Sequence, residues 1–326
     1  MSEKFVVIAT DKMSLSGLVA LTEDDRFEIL VPDGEEEMRE ALGRAHGLIV
    51  RSATKVTREL LEQAPNLRVV GRAGVGVDNI DLGVATEFGI PVINAPEGNT
   101  VSAAELAMAL ILTVARNVSW ADASVQGGAW ARSQFSGIEI RGKTLGLVGL
   151  GDIGLEVSRR ARAFDMNVLY HKRVALSAEF EQMAGVRHAA LAELMGESDV
   201  VSLHVPHTDA TEGMIDAAAL ALMKSDAILI NTARGGLVDE TALAEALRGG
   251  RIAGAGLDAF VEEPLPVGHP LTDCPNVLLS PHVGGGTGGG QRGMIRSIVE
   301  NLQRVARGDP AVGLVTMSTP EGRFET

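Results

Sequence analysis

Short apolar runs alternate with amphipathic stretches along nearly the whole chain. A first series comprises residues 4–9, 27–31, 47–50, 67–70 and 91–93; a second comprises 145–150, 167–170, 200–204, 227–231, 253–257 and 277–280. Runs that are apolar throughout suit strands covered on both faces, and the helical stretches between them supply the cover. The pattern predicts an α/β chain with two doubly wound parallel sheets. Helices are predicted over 100–117 and 292–307, with Ser102 and Glu105 offering a capping box at the start of the first. Two stretches interrupt the series. Asn94-Ala95-Pro96-Glu97-Gly98-Asn99 is rich in turn formers, and residues 284–290 are nearly all glycine. The simplest topology has the chain leaving a first domain near 99 and returning near 288. That makes 1–99 plus 289–326 one domain and 100–288 an insertion, with two hinges and a cleft.

Composition narrows the classes. The 326 residues suffice for two ordinary domains, and 45% hydrophobic with 22% charged residues describes a soluble globular protein. A net charge of −14 and 3% aromatic residues argue against nucleic-acid partners. Cys274 is the single cysteine, so neither a disulfide framework nor a cysteine metal cluster is expected, and no His/carboxylate spacing suits a metal. No apolar run reaches the roughly 18 residues of a membrane span, and the chain opens into a strand rather than a leader; the expectation is cytoplasmic, with no membrane partner.

The chemistry starts at Gly149-Leu150-Gly151-Asp152-Ile153-Gly154, which turns the 145–150 strand into a helix. Such a turn aims unpaired N–H groups and the positive end of the helix dipole at one point, a seat for a pyrophosphate. The first glycine permits the turn, the second admits the phosphates, and the third lets helix pack on strand. Three further residues follow late strands: Arg234 in Asn231-Thr232-Ala233-Arg234-Gly235-Gly236, Glu263 in Asp258-Ala259-Phe260-Val261-Glu262-Glu263-Pro264, and His282 in Ser280-Pro281-His282-Val283-Gly284-Gly285. In open α/β sheets the ligand crevice lies outside the carboxyl ends of the strands, where all three could converge. A guanidinium can grip a carboxylate and its neighbouring carbonyl, and an imidazole beside a carboxylate can donate a proton to an alkoxide. The set suits hydride transfer to a 2-oxo acid.

In these motifs the chain resembles the D-isomer-specific 2-hydroxyacid dehydrogenase family, over about residues 45–310. The resemblance implies a flavodoxin-like substrate domain and an inserted Rossmann nucleotide-binding domain. It implies catalysis by Arg234, Glu263 and His282, with Asp258 holding the nicotinamide carboxamide. The backbone around Val205, Pro206, Thr232 and Ala233, together with His282 and Gly285, would border the cofactor. Family members are usually homodimers joined through the nucleotide domains, and Trp130 would pack at that interface. Some relatives are non-catalytic NAD(P)-sensing corepressors, a reading that would need loss of the Arg/Glu/His set, which is present.

The substrate side is Gly71-Arg72-Ala73-Gly74-Val75-Gly76-Val77-Asp78, whose glycine spacing is wrong for a dinucleotide but whose N–H groups could receive a carboxylate. Within the family, the 50–57 segment with Arg51 and Ser52, the 71–78 loop with Gly74, Val75 and Gly76, and the 99–106 segment resemble 3-phosphoglycerate dehydrogenases most. Arg51 and Arg72 could meet a substrate phosphate. Many such enzymes carry regulatory C-terminal domains; this sequence stops at 326, so feedback control is not expected. Glyoxylate and hydroxypyruvate reductases share the catalytic set. On the cofactor side, the position after the second strand normally holds an acid for the adenosine ribose. Here Tyr170 is followed by His171-Lys172-Arg173, so NADP(H) is expected to be preferred, with NAD(H) possible. His204 and His207 are read as loop-lining; His46, His188 and His269 receive no role.

Overall fold

The computed structural model describes residues 4–11, 13, 18–95 and 98–315. The chain divides into two units, Met1–Asn99 with Gly285–Thr326, and Thr100–Gly284. In the first unit, β1 (Phe5–Ala9), β2 (Phe27–Leu30), β3 (Gly47–Val50), β4 (Val69–Arg72) and β5 (Val92–Asn94) form a parallel sheet in the order β2-β1-β3-β4-β5. Successive side chains on a strand face opposite ways. Val7, Ile49, Val69 and Ile93 therefore meet Met294, Ile298 and Leu302 of helix Gly288–Ala306 on one face. Ile8, Leu48, Val50, Val70 and Val92 meet Leu42, Leu61 and Val84 on the other. Gly71 lets that helix seat closely, because a Cβ there would lie 2.4 Å from Ile298 Cγ2.

The second unit holds β6 (Thr144–Val148), β7 (Asn167–His171), β8 (Arg187–His188), β9 (Val200–Leu203), β10 (Ile228–Asn231), β11 (Gly254–Leu257) and β12 (Val277–Leu279). All neighbours pair parallel, in the order β12-β11-β10-β9-β6-β7-β8. Leu145 and Leu147 pack with Leu110, Ile111, Val157 and Ala161 on one face, while Val148, Val201, Leu203 and Leu229 pack with Leu194, Leu220 and Leu243 on the other. The chain goes from β6 to β7 on one side and reaches β9 on the other, so the strand order reverses beside β6. That reversal opens a crevice at the carboxyl edge.

Several expectations need correcting. The two-residue β8 has too little apolar pattern to be seen in the sequence. Helix Gly288–Ala306 begins four residues before 292, inside the glycine run, because Thr287 Oγ1 accepts from Gly290 N at 2.9 Å and caps it. Helix Thr100–Arg116 begins ahead of Ser102, whose buried side chain lies inside it and cannot be its N-cap. The return crossing falls at Gly285. A Cβ on Gly284 would face Asp258, whereas one on Gly285 would already face Asn99 and Met294. Pro96 and Glu97 of the expected linker lie outside the described residues. Among the described residues, no single helix is long and apolar enough to cross a membrane, and no cluster of His, Cys, Asp and Glu suits a metal.

Candidate active site

In the first unit, the loop after β4 is tied to its neighbours by backbone and amide. Ala73 N donates to Val50 O at 2.8 Å, Ala95 N to Gly74 O at 2.9 Å, and Asn94 Nδ2 to Val75 O at 2.6 Å. The Arg72 guanidinium lies across Gly74, where a Cβ would fall 1.4 Å from Nη1. No described residue accepts the Val75 or Gly76 N–H, which leaves both for an anion. The Arg51 segment is held by a residue the sequence reading passed over. The Asp11 carboxylate accepts from Arg51 N at 2.6 Å and from Thr54 Oγ1 at 2.5 Å. Asn79 Nδ2 donates to the Arg51 and Thr54 carbonyls at 2.7 and 2.6 Å. Asp11 follows the end of β1, a position that could have marked it. Arg51 is half-buried and Ser52 exposed.

In the second unit, the turn after β6 has one use for each glycine. Gly149 has φ +98°, and a Cβ there would fall 2.4 Å from the His204 carbonyl oxygen, across the switch point. A Cβ on Gly151 would meet nothing within 4 Å, so it would project into an open cradle. A Cβ on Gly154 would collide with the Gly149 carbonyl at 2.6 Å. No side chain caps helix Asp152–Ala163, and no described residue accepts the N–H groups of Asp152, Ile153 or Gly154. The cradle and its bare donors fit a dinucleotide pyrophosphate. Nearby, Val205 is half-buried and Pro206 exposed after β9, and Thr232 Oγ1 is buried without a described partner after β10.

At the end of β7, Tyr170 is fully buried, its hydroxyl donating to Glu181 and accepting from Leu176 N. His171 Nδ1 donates to Ala189 O at 3.1 Å, and His188 Nε2 donates to Lys172 O at 3.1 Å. Lys172 and Arg173 are exposed and form no ion pair with a described residue. No carboxylate occupies this strand end.

The three candidate catalytic residues leave three adjacent strands, β10, β11 and β12, at the same edge. Asn231, 1% exposed, staples the first loop: its Oδ1 accepts from Ala233 N and its Nδ2 donates to Arg234 O. Gly235 lets that loop press on the next, since a Cβ there would fall 1.9 Å from the Phe260 carbonyl carbon. Arg234 Nη1 donates to Ala233 O at 2.7 Å. Glu263 and His282 come together directly: Oε2 lies 2.7 Å from Nδ1, with side-chain exposures of 37% and 42%. Glu263 Oε1 accepts from Phe260 N at 3.0 Å. The imidazole Nδ1 is thus engaged, which leaves Nε2 for chemistry.

His282 sits at φ +51°, an uncommon backbone for a non-glycine residue. Asp258 holds it there. Its carboxylate, 1% exposed, accepts from Ser280 Oγ at 2.6 Å, Val283 N at 2.9 Å and Gly284 N at 2.8 Å. Three of its roughly four acceptor positions are therefore used within the protein. Anchoring the 280–284 loop is a role the sequence did not suggest. Gly285 belongs to the other unit, against Asn99. His269, given no role above, pairs with Glu240 at 3.1 Å, with side-chain exposures of 15% and 12%.

The pattern of the D-isomer specific 2-hydroxyacid dehydrogenase NAD binding domain matches residues 108–284. The chain belongs to the D-isomer specific 2-hydroxyacid dehydrogenase family. The matched NAD binding domain ends at Gly284, the residue that also ends the second unit. Among curated relatives, a D-3-phosphoglycerate dehydrogenase of Methanocaldococcus jannaschii is 44% identical over 95% of this chain and 59% of its own length. The chain spans about three fifths of the length of the curated relatives it matches. Among solved structures, the TT0316 protein from Thermus thermophilus superposes with a TM-score of 0.87 at 39% identity, covering 95% of this chain and 99% of that one. An NADPH-dependent glyoxylate/hydroxypyruvate reductase from Sinorhizobium meliloti superposes with a TM-score of 0.83 at 32% identity, covering 95% and 97%. The two-domain α/β fold is shared by these family members.

Proposed function

We propose that the protein is a nicotinamide-dependent D-2-hydroxyacid dehydrogenase that interconverts a small 2-hydroxy acid and its 2-oxo acid. The Glu263–His282 contact at 2.7 Å carries this reading. Bound nicotinamide supplies or takes up the hydride at the substrate carbon. In reduction, His282 Nε2 gives its proton to the carbonyl oxygen and a hydroxyl forms; in oxidation it takes that proton back. Glu263, bonded to Nδ1, orients the ring. Arg234 grips the substrate carboxylate and polarises the carbonyl. In the first unit, Val75 and Gly76 offer N–H groups to an anionic substrate group, beside Arg51, Ser52, Arg72 and Gly74. The pyrophosphate rests on Gly149, Gly151, Asp152, Ile153 and Gly154. Val205, Pro206, Thr232, Ala233 and Asp258 of the second unit would border the nicotinamide half.

The identity to proteins named D-3-phosphoglycerate dehydrogenase favours a phosphoglycerate dehydrogenase-like substrate, whose phosphate would meet Arg51 and Arg72. A second reading, an NADPH-dependent glyoxylate/hydroxypyruvate reductase, is favoured by the edge of β7. Unpaired Lys172 and Arg173, with His171, suit a 2′-phosphate, and no acid is present to repel it. We accordingly propose a preference for NADP(H), with NAD(H) accepted. Steady-state rates of glyoxylate, hydroxypyruvate and 3-phosphohydroxypyruvate reduction with NADPH and NADH test both points. The expected result is turnover with NADPH favoured in kcat/KM, the advantage shrinking by roughly tenfold in Lys172→Ala/Arg173→Ala. A clear NADH preference would defeat the cofactor proposal. Cofactor binding with no turnover of any 2-oxo acid would defeat the activity and restore an NAD(P)-sensing role. We further propose a homodimer through the nucleotide-binding unit, supported by exposed Trp130 beside a helix with no buried residue.

A further inference from the structure

The second unit contains another imidazole–carboxylate pair, and it touches the peptide next to the one that the proposed catalytic pair touches. Glu240 opens helix Glu240–Arg248, and His269 precedes the short helical turn Pro270–Asp273. Glu240 Oε2 lies 3.1 Å from His269 Nε2. Leu271 N donates to His269 Nδ1, so the ring proton is on Nε2 and points at Glu240. The other oxygen, Glu240 Oε1, accepts from Val261 N at 3.0 Å.

The preceding amide, Phe260 N, donates to Glu263 Oε1 at 3.0 Å, and Glu263 Oε2 holds His282. Two consecutive N–H groups are thus taken by two carboxylates, each paired to a histidine. The Phe260–Val261 peptide also carries the Arg234 loop, because Gly235 packs on the Phe260 carbonyl and Val261 N. Val261 itself is 66% exposed, so its side chain cannot anchor this segment in a core. Phe260, 8% exposed, packs into the core, and beyond it the Val261 end of the segment is held by the Glu240 carboxylate, itself paired with His269.

We propose that Glu240 and His269 are positioning residues for the reaction: by gripping the Val261 N–H they fix the backbone of Phe260, whose own N–H holds Glu263 and whose carbonyl carries the Arg234 loop. The claim rests on the dehydrogenase reading for its kinetic consequence, but not for its structural one. Catalytic groups need their supporting hydrogen bonds because a displacement of about 1 Å can cost on the order of a hundredfold in rate.

Glu240→Ala and Glu240→Gln in the full chain test it, alone and combined with Glu263→Gln. Amide hydrogen exchange read by NMR at Phe260 is independent of turnover. In Glu240→Ala it should accelerate at Phe260 as well as at Val261. The same variant should lower kcat roughly ten- to a hundredfold, with cofactor KM within about twofold. Glu240→Gln keeps an acceptor for Val261 N–H but turns its NH2 toward the His269 Nε2–H, so it should recover only part of the rate. In the Glu263→Gln background, Glu240→Ala should lower kcat by less than it does alone, because only the route through the Arg234 loop remains. Unchanged exchange at Phe260, or rate losses that multiply in the double variant, would overturn the proposal. Should the wild type reduce no 2-oxo acid, the activity fails while the exchange measurement still decides the positioning role.

Discussion

At the scale of single residues, Arg234 and His282 are asked for different things. In the proposed mechanism Arg234 would bind the substrate in the ground state and in the transition state, so Arg234→Ala should raise KM and lower kcat together. His282, as the proposed acid, would matter only when the proton moves, so His282→Ala should lower kcat by about 10²–10⁴-fold with KM little changed. A His282→Ala enzyme of undiminished rate would remove the proposed acid. His204, beside the switch point, gives a pH prediction. Desolvation pushes its imidazole down to about 4 from 6.5, and Ser202 Oγ lies 2.9 Å from its Nε2. Below about pH 6.5 the unfolded chain takes up a proton that the folded protein refuses until about pH 4, so stability falls with acidification through that window. The melting temperature of the wild type should therefore drop more steeply from pH 7 to 4.5 than that of His204→Gln. Parallel slopes would show that the ring is not held neutral.

At the scale of elements, the glycines separate folding from binding. Gly151→Ala adds a methyl that touches no protein atom, so it should spare the melting temperature while weakening dinucleotide binding. Gly235→Ala forces a methyl into the Phe260 carbonyl, so it should destabilise by about 1–3 kcal/mol, the usual range for overpacking. Cofactor titration and thermal unfolding of both variants check this; equal melting losses would mean that the cradle is not open. The glycines of the 149–154 turn were the clearest signal in the sequence, because Gly149 takes a left-handed backbone, Gly151 leaves the cradle open and Gly154 admits a close approach. The long buried strands were equally legible, since sheets covered on both faces leave continuous apolar runs. Short or tertiary features were not. β8 spans two residues, Thr287 was hidden in a glycine run, and nothing local marks Asp258 as the anchor of the 280–284 loop. The Glu263–His282 contact was readable only through the resemblance, for the partners are 19 residues apart and meet only once β11 and β12 are paired.

At the scale of the whole molecule, the surface of the nucleotide-binding unit bears on assembly. Helix Val118–Gln126 turns 64° from helix Thr100–Arg116 and buries no residue of its own. Val118 and Val125 are each 53% exposed and Trp130 is 78% exposed, whereas Trp120 packs against the core. Large apolar and aromatic side chains left in water beside one helix are the anchors a stable interface uses. Each chain carries a net charge of −14, so two copies repel at low ionic strength. At 0.15 M salt the screening length is about 8 Å, and that repulsion is largely removed. The wild type should therefore scatter light as a dimer at micromolar concentration in 0.15 M salt and dissociate more readily at 10 mM. Its melting temperature should rise with protein concentration, because association stabilises only the folded chain. Trp130→Asp should abolish both the dimer mass and the concentration dependence while leaving dinucleotide binding in place. Of the two tryptophans in the chain, Trp130 would leave water on association, so the emission should shift to the blue as the dimer forms. A wild-type chain that stays monomeric at every salt concentration, with a melting temperature independent of protein concentration, would leave the exposed face without the partner proposed for it.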